Sequence, residues 1–151
     1  SNAGRNKQPA WCYYGNDTAN GTKYGKLYNW YAVNDPRGLA PNGWHVPTHN
    51  EWTRLIEYLG GQEIAGAKMK SKSSWVNVGK TTNSSGFSGL PGGYRDSNGY
   101  FASIGAEGSW WSSTTSYEGP AWSRHLTCNY EDVKRSSFDK SKGFSVRCIR
   151  N

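Results

Sequence analysis

Hydrophobic positions recur with the spacing of a helix in one stretch of the chain, residues 48–59. Its apolar residues follow the i, i+3, i+4, i+7 pattern that places side chains on one helix face: Trp52, Leu55, Ile56 and Leu59. Thr48 and Glu51 supply the T-x-x-E capping box that begins such a helix, and a Gly-Gly pair after residue 59 ends it. A second, shorter helix is predicted over residues 63–69.

Alternating apolar and polar positions predict short strands in the rest of the chain. Extended segments are expected at residues 28–33 and 43–47, near Phe87, and at 92–95, 99–105, 109–114, 121–128 and 143–150. Gly, Ser and Asn dominate residues 71–108, which is typical of long loops. The pattern therefore predicts an α+β domain with two helices and an antiparallel sheet joined by long ordered loops.

The predicted strand at residues 121–128 divides its side chains between two faces, because successive side chains of a strand point to opposite sides. One face carries Trp122, Arg124, Leu126 and Cys128. The other face, continued by one residue, carries Ser123, His125, Thr127 and Asn129.

The composition indicates one folded domain. A chain of 151 residues is long enough for a proper core, and we set residues 1–3 aside as a cloning scar, so that the domain is 4–151. Charged residues make up 19% and aromatic residues 15% of the chain, the reverse of a disordered sequence. No stretch approaches the roughly 18 apolar residues of a membrane span, and the N-terminus does not settle the localisation.

The net charge of +7 raises nucleic acid as one class of partner. The basic residues near the C-terminus are interleaved with acidic ones, however, and no nucleic-acid-binding motif is present. We therefore expect a soluble basic surface and no nucleic-acid partner.

Two of the three histidines, His45 and His49, stand four residues apart in the segment HVPTH. Zinc proteases place two histidines at this spacing on one helix face. Here Pro47 and the capping residue Thr48 separate them, so they flank a turn and cannot share a helix face. We expect His45 to be a hydrogen-bonded framework residue and His49 a surface residue of the first helical turn, and neither to bind a metal.

The three cysteines, Cys12, Cys128 and Cys148, contain no CxxC pair, which argues against a zinc site. They allow one disulfide in any of three pairings, with one thiol left over. A bond between Cys12 and Cys148 would tie the two ends of the chain together, as suits an exported domain.

Five blocks within residues 11–151 resemble the Fibrobacter succinogenes major paralogous domain: YGKLYNWYAV, LAPNGWHVPTHNEWTRL, LPGGYRDSNGYF, WWSST and GFSVRCIRN. The resemblance implies a C-type-lectin-like fold, related to the formylglycine-generating enzymes, with two helices flanking a small twisted antiparallel sheet and with adjacent termini. It also implies an exported or surface-anchored bacterial protein, often a lipoprotein, that meets a membrane only through a lipid anchor outside these residues. Members with similar early WC and final RC cysteines imply the pairing Cys12–Cys148, with Cys128 unpaired.

The related families also bear on catalysis and metal binding. The formylglycine-generating enzymes bind copper through two cysteines five residues apart; Cys128 matches the first, but Val133 occupies the second position. Calcium-dependent lectins use EPN or QPD and WND triplets, which this sequence lacks, and its NDP at residues 34–36 precedes the capped helix. We also recognise no Ser-His-Asp set. We therefore expect no enzyme activity, no cofactor and no metal.

The last 31 residues, AWSRHLTCNYEDVKRSSFDKSKGFSVRCIRN, resemble the variable region of proteins diversified by retroelements. Such elements mutate adenines, chiefly in asparagine codons, and most residues between 123 and 139 belong to the set of amino acids that results. Glu131, Lys134 and Lys140 do not belong to it, and ordinary sequence drift would give a similar mixture.

We expect residues 110–142 to form a binding surface for an unknown protein or glycan, presented by a monomeric domain, with aromatic anchors, polar groups and a basic rim. The candidate residues are Trp110, Tyr117, Trp122, Ser123, His125, Thr127, Asn129, Tyr130, Asp132, Lys134, Arg135, Ser136, Phe138, Asp139 and Lys140. Three alternatives stay open: a degenerate formylglycine-generating-enzyme relative with oxidase activity, a structural module of a surface or fimbrial assembly, and a solvated edge hairpin with no partner.

Overall fold

The computed structural model describes residues 2–117 and 119–151, and within them the chain is α+β, as predicted. Ser1, part of the predicted cloning scar, lies outside the described residues. The helices are α1 (Asn2–Arg5), α2 (Thr18–Tyr24), α3 (Trp30–Val33), α4 (His49–Tyr58) and α5 (Gln62–Met69). The strands are β1 (Trp11–Cys12), β2 (Leu27–Tyr28), β3 (Trp44–His45), β4 (Gly92–Arg95), β5 (Phe101–Ile104), β6 (Glu107–Thr115), β7 (Ala121–Thr127), β8 (Lys134–Phe138) and β9 (Ile149–Arg150).

Helix α4 begins and ends where the sequence predicts. The Thr48 hydroxyl accepts a hydrogen bond from the Glu51 backbone N–H at 3.3 Å, and the Glu51 carboxylate accepts one from the Thr48 N–H at 2.8 Å. These two bonds satisfy amides that would otherwise lack partners. Gly60 and Gly61 follow with φ of 102° and 98°, a conformation that favours glycine, and the chain turns directly into α5.

The main sheet has the strand order β5-β4-β6-β7-β8 and is mixed, so the expectation of an antiparallel sheet is wrong at one pair. Strand β4 pairs with β6 in parallel, with Gly93 opposite Gly108, and the other pairs are antiparallel. The reason is the order in which the strands are laid down. Strand β5 reverses the direction of β4, β6 reverses it again, and β6 then pairs with β4 instead of with β5.

Several predicted strands differ in extent. Residues 28–33 form the end of β2 and helix α3, because the Asn29 side chain caps the helix by accepting from the Ala32 N–H at 3.1 Å. The segment 143–150 is strand only at β9, which pairs with β3, although Phe144 and Ser145 make isolated bridges. Phe87 is not in a strand, and β8, which pairs with β7 along its length, was not predicted.

Both faces of the sheet are covered, each by its own core cluster. Helices α4 and α5 contribute to the same cluster, so the expectation that they flank the sheet is not met; this cluster includes Trp52, Ile56, Ala65, Met69, Trp110 and Leu126. The other cluster contains α3 and the C-terminal segment, with Trp30, Val33, Trp111, Ala121 and Phe144. Strand β7 is consequently buried on both faces. Polar residues recur along its sequence, and this pattern did not indicate that the second face is buried.

All three cysteines are free thiols, so the implied Cys12–Cys148 disulfide is not formed in this structure. Burial raises the pKa of the Cys12 thiol, an effect that Arg95 partly offsets, and burial likewise raises the pKa of Cys148. Cys128 is buried. Among the helices of the described residues, none has the length and apolar character that crossing a membrane requires.

Candidate binding cleft at the start of strand β7

A cleft of about 570 Å³ lies where the first turn of α4 meets the beginning of β7. Its walls are residues 48–50 of the helix start, residues 114–117 at the end of β6, and Trp122 of β7. The face of β7 that carries Leu126 and Arg124 lies under α4. Trp122, two residues earlier in β7, lies beside His49, the first residue of the helix. The cleft is therefore a consequence of a strand that extends past the helix that covers it.

Trp122 forms the aromatic centre of the cleft. Its ring lies 5.1 Å from the His49 ring, with the two planes inclined at 51°. From strand β8, the Arg135 guanidinium lies 5.0 Å from the centre of the Trp122 ring, a cation–π contact. Tyr117 adds a second aromatic side chain at the rim, and it is fully exposed. The half-buried Trp122 and the exposed Tyr117 thus both line the cleft, and Arg135 lies over the Trp122 ring.

Arg124 lies beneath the helix start, and all its acceptors within residues 2–117 and 119–151 are neutral. Its Nη2 donates to the His49 carbonyl oxygen at 3.3 Å and to the Thr53 hydroxyl at 3.2 Å, and its Nη1 donates to the Ser123 carbonyl oxygen at 3.2 Å. Burial, and next to it the charge of Arg135, lowers the pKa of Arg124 to about 10. A buried guanidinium is normally paired with a carboxylate, so this environment is unusual.

His49 is positioned by the strand as well as by the helix. Its backbone N–H donates to the Thr114 hydroxyl at 3.0 Å, which joins the first turn of α4 to the end of β6. Its pKa is lowered by burial and then by the charges of Arg124 and Arg135. His49 is therefore half-buried in the cleft wall, whereas the sequence led us to expect a surface residue. His45 has other neighbours: its ring hydrogen-bonds Asn151 and Glu51, each at 2.7 Å.

On the opposite face of β7, Ser123, His125 and Glu107 have the geometry of a Ser-His-acid triad. The Ser123 hydroxyl lies 2.8 Å from His125 Nε2, and His125 Nδ1 lies 3.0 Å from a Glu107 carboxylate oxygen. The sequence analysis missed this set because Glu107 is on another strand. Ser123 has no exposed surface and also donates to the Ser136 carbonyl oxygen, so no substrate reaches the hydroxyl in this arrangement.

Because of this buried network, the free energy of unfolding should decrease as the pH becomes acidic. Burial acts to raise the pKa of Glu107, but hydrogen bonds from His125 and Ser109 outweigh it, and the pKa lies below the ordinary 4.5. The folded state then binds fewer protons than the unfolded state, so the stabilisation is complete above about pH 4.5 and is lost as pH falls through the folded-state pKa.

We expect Glu107→Gln to destabilise the domain at pH 7 and to differ less from wild type at pH 3, as measured by urea unfolding. Glu57→Gln, at an exposed helical position, is the matched control and should show no such convergence. A difference between wild type and Glu107→Gln that stays constant across this pH range would contradict the assignment.

The structure distributes the predicted binding residues over three places. Tyr117, Trp122 and Arg135 lie together at the cleft. Trp110, Ser123 and His125 are in the core, so their side chains do not contribute to a surface, because both faces of the sheet are covered. The remaining candidates lie along the outer edge of the domain, exposed or partly exposed: Thr127, Asn129, Tyr130, Asp132, Lys134, Ser136, Phe138, Asp139 and Lys140.

These edge residues do not converge on the cleft. Lys134 lies over the Tyr130 ring at 4.8 Å, at the turn between β7 and β8. Lys140 lies over the Trp30 ring at 4.6 Å, beyond the other end of β8. Phe138 packs on His125 and Phe144 at 5.2 and 5.5 Å, which makes it partly a core residue.

The cleft also contains residues that the sequence analysis did not nominate, from the helix start and from the end of β6. The helix start was recognised from its capping box, but nothing in the sequence says which strand it faces. In the described part of the chain, no group of three or more His, Cys, Asp or Glu side chains is arranged to hold a metal ion.

Comparison with known proteins places the chain in a family. No significant match was found among curated proteins or among solved structures. The model of the Fibrobacter succinogenes major domain matches residues 2–150, nearly the whole chain. The chain therefore belongs to the Fibrobacter succinogenes major domain family.

Proposed function

We propose that this domain is a non-enzymatic binding module whose site is the cleft at Trp122. The observation that carries the proposal is the aromatic pair that lines a preformed concave surface, the half-buried Trp122 and the fully exposed Tyr117. Aromatic side chains provide large contact areas at low entropic cost, and they are enriched where proteins bind ligands. The ligand is a protein or a glycan.

Hydrogen bonds and strand pairing hold the walls of the cleft in position. The first turn of α4 is held by its capping box and by the bond from His49 to Thr114. Trp122 and Arg135 are on paired strands, where Trp122 lies opposite Ser137. A site on such elements loses little entropy when a ligand binds, which favours specific recognition.

The wall chemistry suits a polar ligand. Around the two aromatic rings lie hydroxyl and amide side chains from Thr48, Asn50 and Thr115. Saccharide rings stack on aromatic faces while their hydroxyls exchange hydrogen bonds with such groups, and polar protein surfaces use the same combination.

We expect Trp122→Ala to weaken binding by about tenfold or more, because it removes the central contact surface. The measurement is a glycan array together with a displayed library of surface proteins, followed by titration of each ligand found. Trp44→Ala is the matched control, since Trp44 is 45% exposed in β3 and does not line the cleft. An unchanged binding profile for Trp122→Ala, with Trp44→Ala behaving identically, would defeat the proposed site.

Two observations support a non-enzymatic function. The Ser123 hydroxyl of the triad-like set is buried. Cys128 and Val133, at the positions of the copper-binding cysteine pair in the formylglycine-generating enzymes, are also both buried, and Val133 offers no ligand atom. Oxidation of a cysteine-containing peptide in the presence of copper would establish the oxidase alternative instead.

We propose further that the fold is C-type-lectin-like and that the domain is exported. Contacts between the N-terminal and C-terminal parts of the chain support adjacent termini. The Trp30 N–H donates to the Lys140 carbonyl oxygen at 2.9 Å, and Tyr28 forms a β-bridge with Phe144. Secretion of the full-length protein by its native host, followed by surface protease treatment, tests the localisation. A structural role in a surface assembly would instead show the domain locked between neighbouring subunits.

The retroelement proposal becomes more specific with the structure. Diversification would act on exposed positions such as Asn129, Tyr130 and Ser137, and it would have to spare the buried Ser123 and His125. The gene neighbourhood provides the test. A downstream near-repeat of the last codons, differing only at adenines and lying beside a reverse transcriptase, supports the proposal, and its absence removes it.

A further inference from the structure

A buried cation that has no carboxylate partner among the described residues lies beside the proposed cleft. Arg124 is 2% exposed, its Nη1 and Nη2 donate only to neutral oxygens, and its Nε has no hydrogen-bond partner among the described residues. Removing a guanidinium from water without a counter-charge is costly, so buried arginines are normally paired. This one is adjacent to His49, a residue of the cleft wall.

A second cation increases the positive charge at the same place. Arg135 lies directly opposite Arg124 in the β7–β8 pair, and like charges in that position repel. Arg135 is exposed over the Trp122 ring. The charges of Arg124 and Arg135 also help to lower the pKa of His49, because each disfavours a further positive charge at the cleft.

Carboxylates within the described residues do not offset this charge. The ion pairs there include none from Arg124 or Arg135. Glu51, in the first turn of α4, is hydrogen-bonded to His45 and to Thr48, and it does not line the cleft. Glu118 is outside the described residues, and its own variant is included in the test below.

We propose that the cleft binds an acidic saccharide, whose negative group completes the charge balance over Arg135 and Arg124. This inference rests on the proposed function and adds the chemical class of the ligand. The sugar ring stacks on Trp122 and Tyr117, its hydroxyls meet the hydroxyl and amide groups of the walls, and its carboxylate or sulfate approaches Arg135. A neutral saccharide would leave the buried cation uncompensated, so the cleft discriminates by charge as well as by shape.

The test uses matched acidic and neutral probes. Oligogalacturonate is compared with its methyl ester, which keeps the rings and removes the charges; a heparin-derived oligosaccharide and a sialylated oligosaccharide represent other acidic classes. We expect at least one acidic probe to bind at least about tenfold more tightly than its neutral counterpart, with carboxylate and sulfate sources distinguished by which probe binds.

The variants separate a specific site from general attraction to a basic protein. Arg135→Gln should reduce affinity for the acidic probe by about tenfold or more and should lower the slope of log affinity against log salt by about one. Lys72→Gln makes the same charge change at an exposed position outside the cleft and should change affinity less than about twofold. Glu118→Gln should leave the preference for the acidic probe in place.

The outcomes are distinguishable. Binding of every acidic probe no tighter than its neutral counterpart, equal losses in Arg135→Gln and Lys72→Gln, or failure of all three acidic probes to bind would each overturn the inference. A gain of about tenfold in affinity for the acidic probe in Glu118→Gln would show that Glu118 already balances the charge and would do the same. So would Arg135-dependent binding of a single-stranded polynucleotide in place of the saccharides. A neutral or protein ligand that still requires Trp122 would leave the proposed function standing.

Discussion

Replacing Trp111 by alanine should produce the largest loss of stability, about 3–5 kcal/mol in the free energy of unfolding. Trp111 has no exposed surface, and its ring centre lies 4.4 Å from that of Phe144. Its indole N–H donates to the Tyr28 carbonyl oxygen at 2.8 Å, and its backbone N–H donates to the Ser145 carbonyl oxygen at 3.1 Å. Alanine would leave a cavity and remove one of the two hydrogen bonds that the Tyr28 carbonyl oxygen accepts; the other comes from the Phe144 N–H at 3.0 Å.

The measurement for Trp111→Ala is urea unfolding followed by circular dichroism, with the midpoint and slope fitted for each variant. Trp44→Ala is the control because it deletes the same side chain from a site that is 45% exposed, and it should cost much less. Equal losses at the two positions would show that Trp111 does not link β6 to the C-terminal segment in the way described.

The second large effect is expected for Gly66→Ala in helix α5. A glycine-to-alanine change inside a helix ordinarily stabilises by roughly 0.5–1 kcal/mol. Here the added Cβ would collide with the Asp132 carbonyl oxygen and lie 2.5 Å from that of Glu131. These are backbone atoms of the turn between β7 and β8, and that turn is held in place by the bond from the Ala67 N–H to the Glu131 carbonyl oxygen at 3.0 Å.

We therefore expect Gly66→Ala to reverse the ordinary sign and to destabilise by about 3 kcal/mol, the upper end of typical overpacking costs. Displacement of the turn should also weaken the contacts of Lys70, because its buried ammonium donates to the Thr127 and Tyr130 carbonyl oxygens of the same turn. Thermal unfolding is compared with that of Glu63→Ala, an exposed change in the same helix. A stabilised Gly66→Ala variant would mean that the turn does not pack against α5.

Helices α4 and α5 were predictable because their signals are local. The capping box joins Thr48 to Glu51 across three residues, and the apolar stripe of α4 repeats within three turns. Helix α3 was predicted as strand for the same kind of reason: aromatic alternation over six residues outweighed a single asparagine cap at Asn29. Period alone does not separate such short elements.

The sheet was predictable as a set of strands but not as a topology. Residues 121–127 have a clear strand pattern, yet both faces of β7 are buried, one under α4 and the other against Phe144. The polar residues on the second face satisfy one another through the Ser123, His125 and Glu107 network. Strand β8 lacks an apolar alternation, and it forms because β7 offers a free edge.

The candidate site divides in the same way. Residue type alone selected Trp122, Tyr117 and Arg135, because exposed aromatic and arginine side chains near a C-terminal hairpin are suited to binding. It did not select His49 or Arg124 for the site, because what matters about them is their contact with each other. The two are 75 positions apart in the chain, and a hydrogen bond from Arg124 to the His49 carbonyl oxygen joins them. It also placed Ser123 and His125 on the surface, where the fold buries them.

Sequence alone therefore determined the family, the α+β class and the capped helix, since these depend on local spacing and residue type. The tertiary structure decided the mixed sheet, the free thiols and the location of the cleft. It also decided the charge beside the cleft: α4 buries Arg124, β8 places Arg135 opposite it, and neither has an ion-pair partner in the part of the chain that the structure describes. Electrostatic environment depends on distances in space, which positions along the chain do not specify.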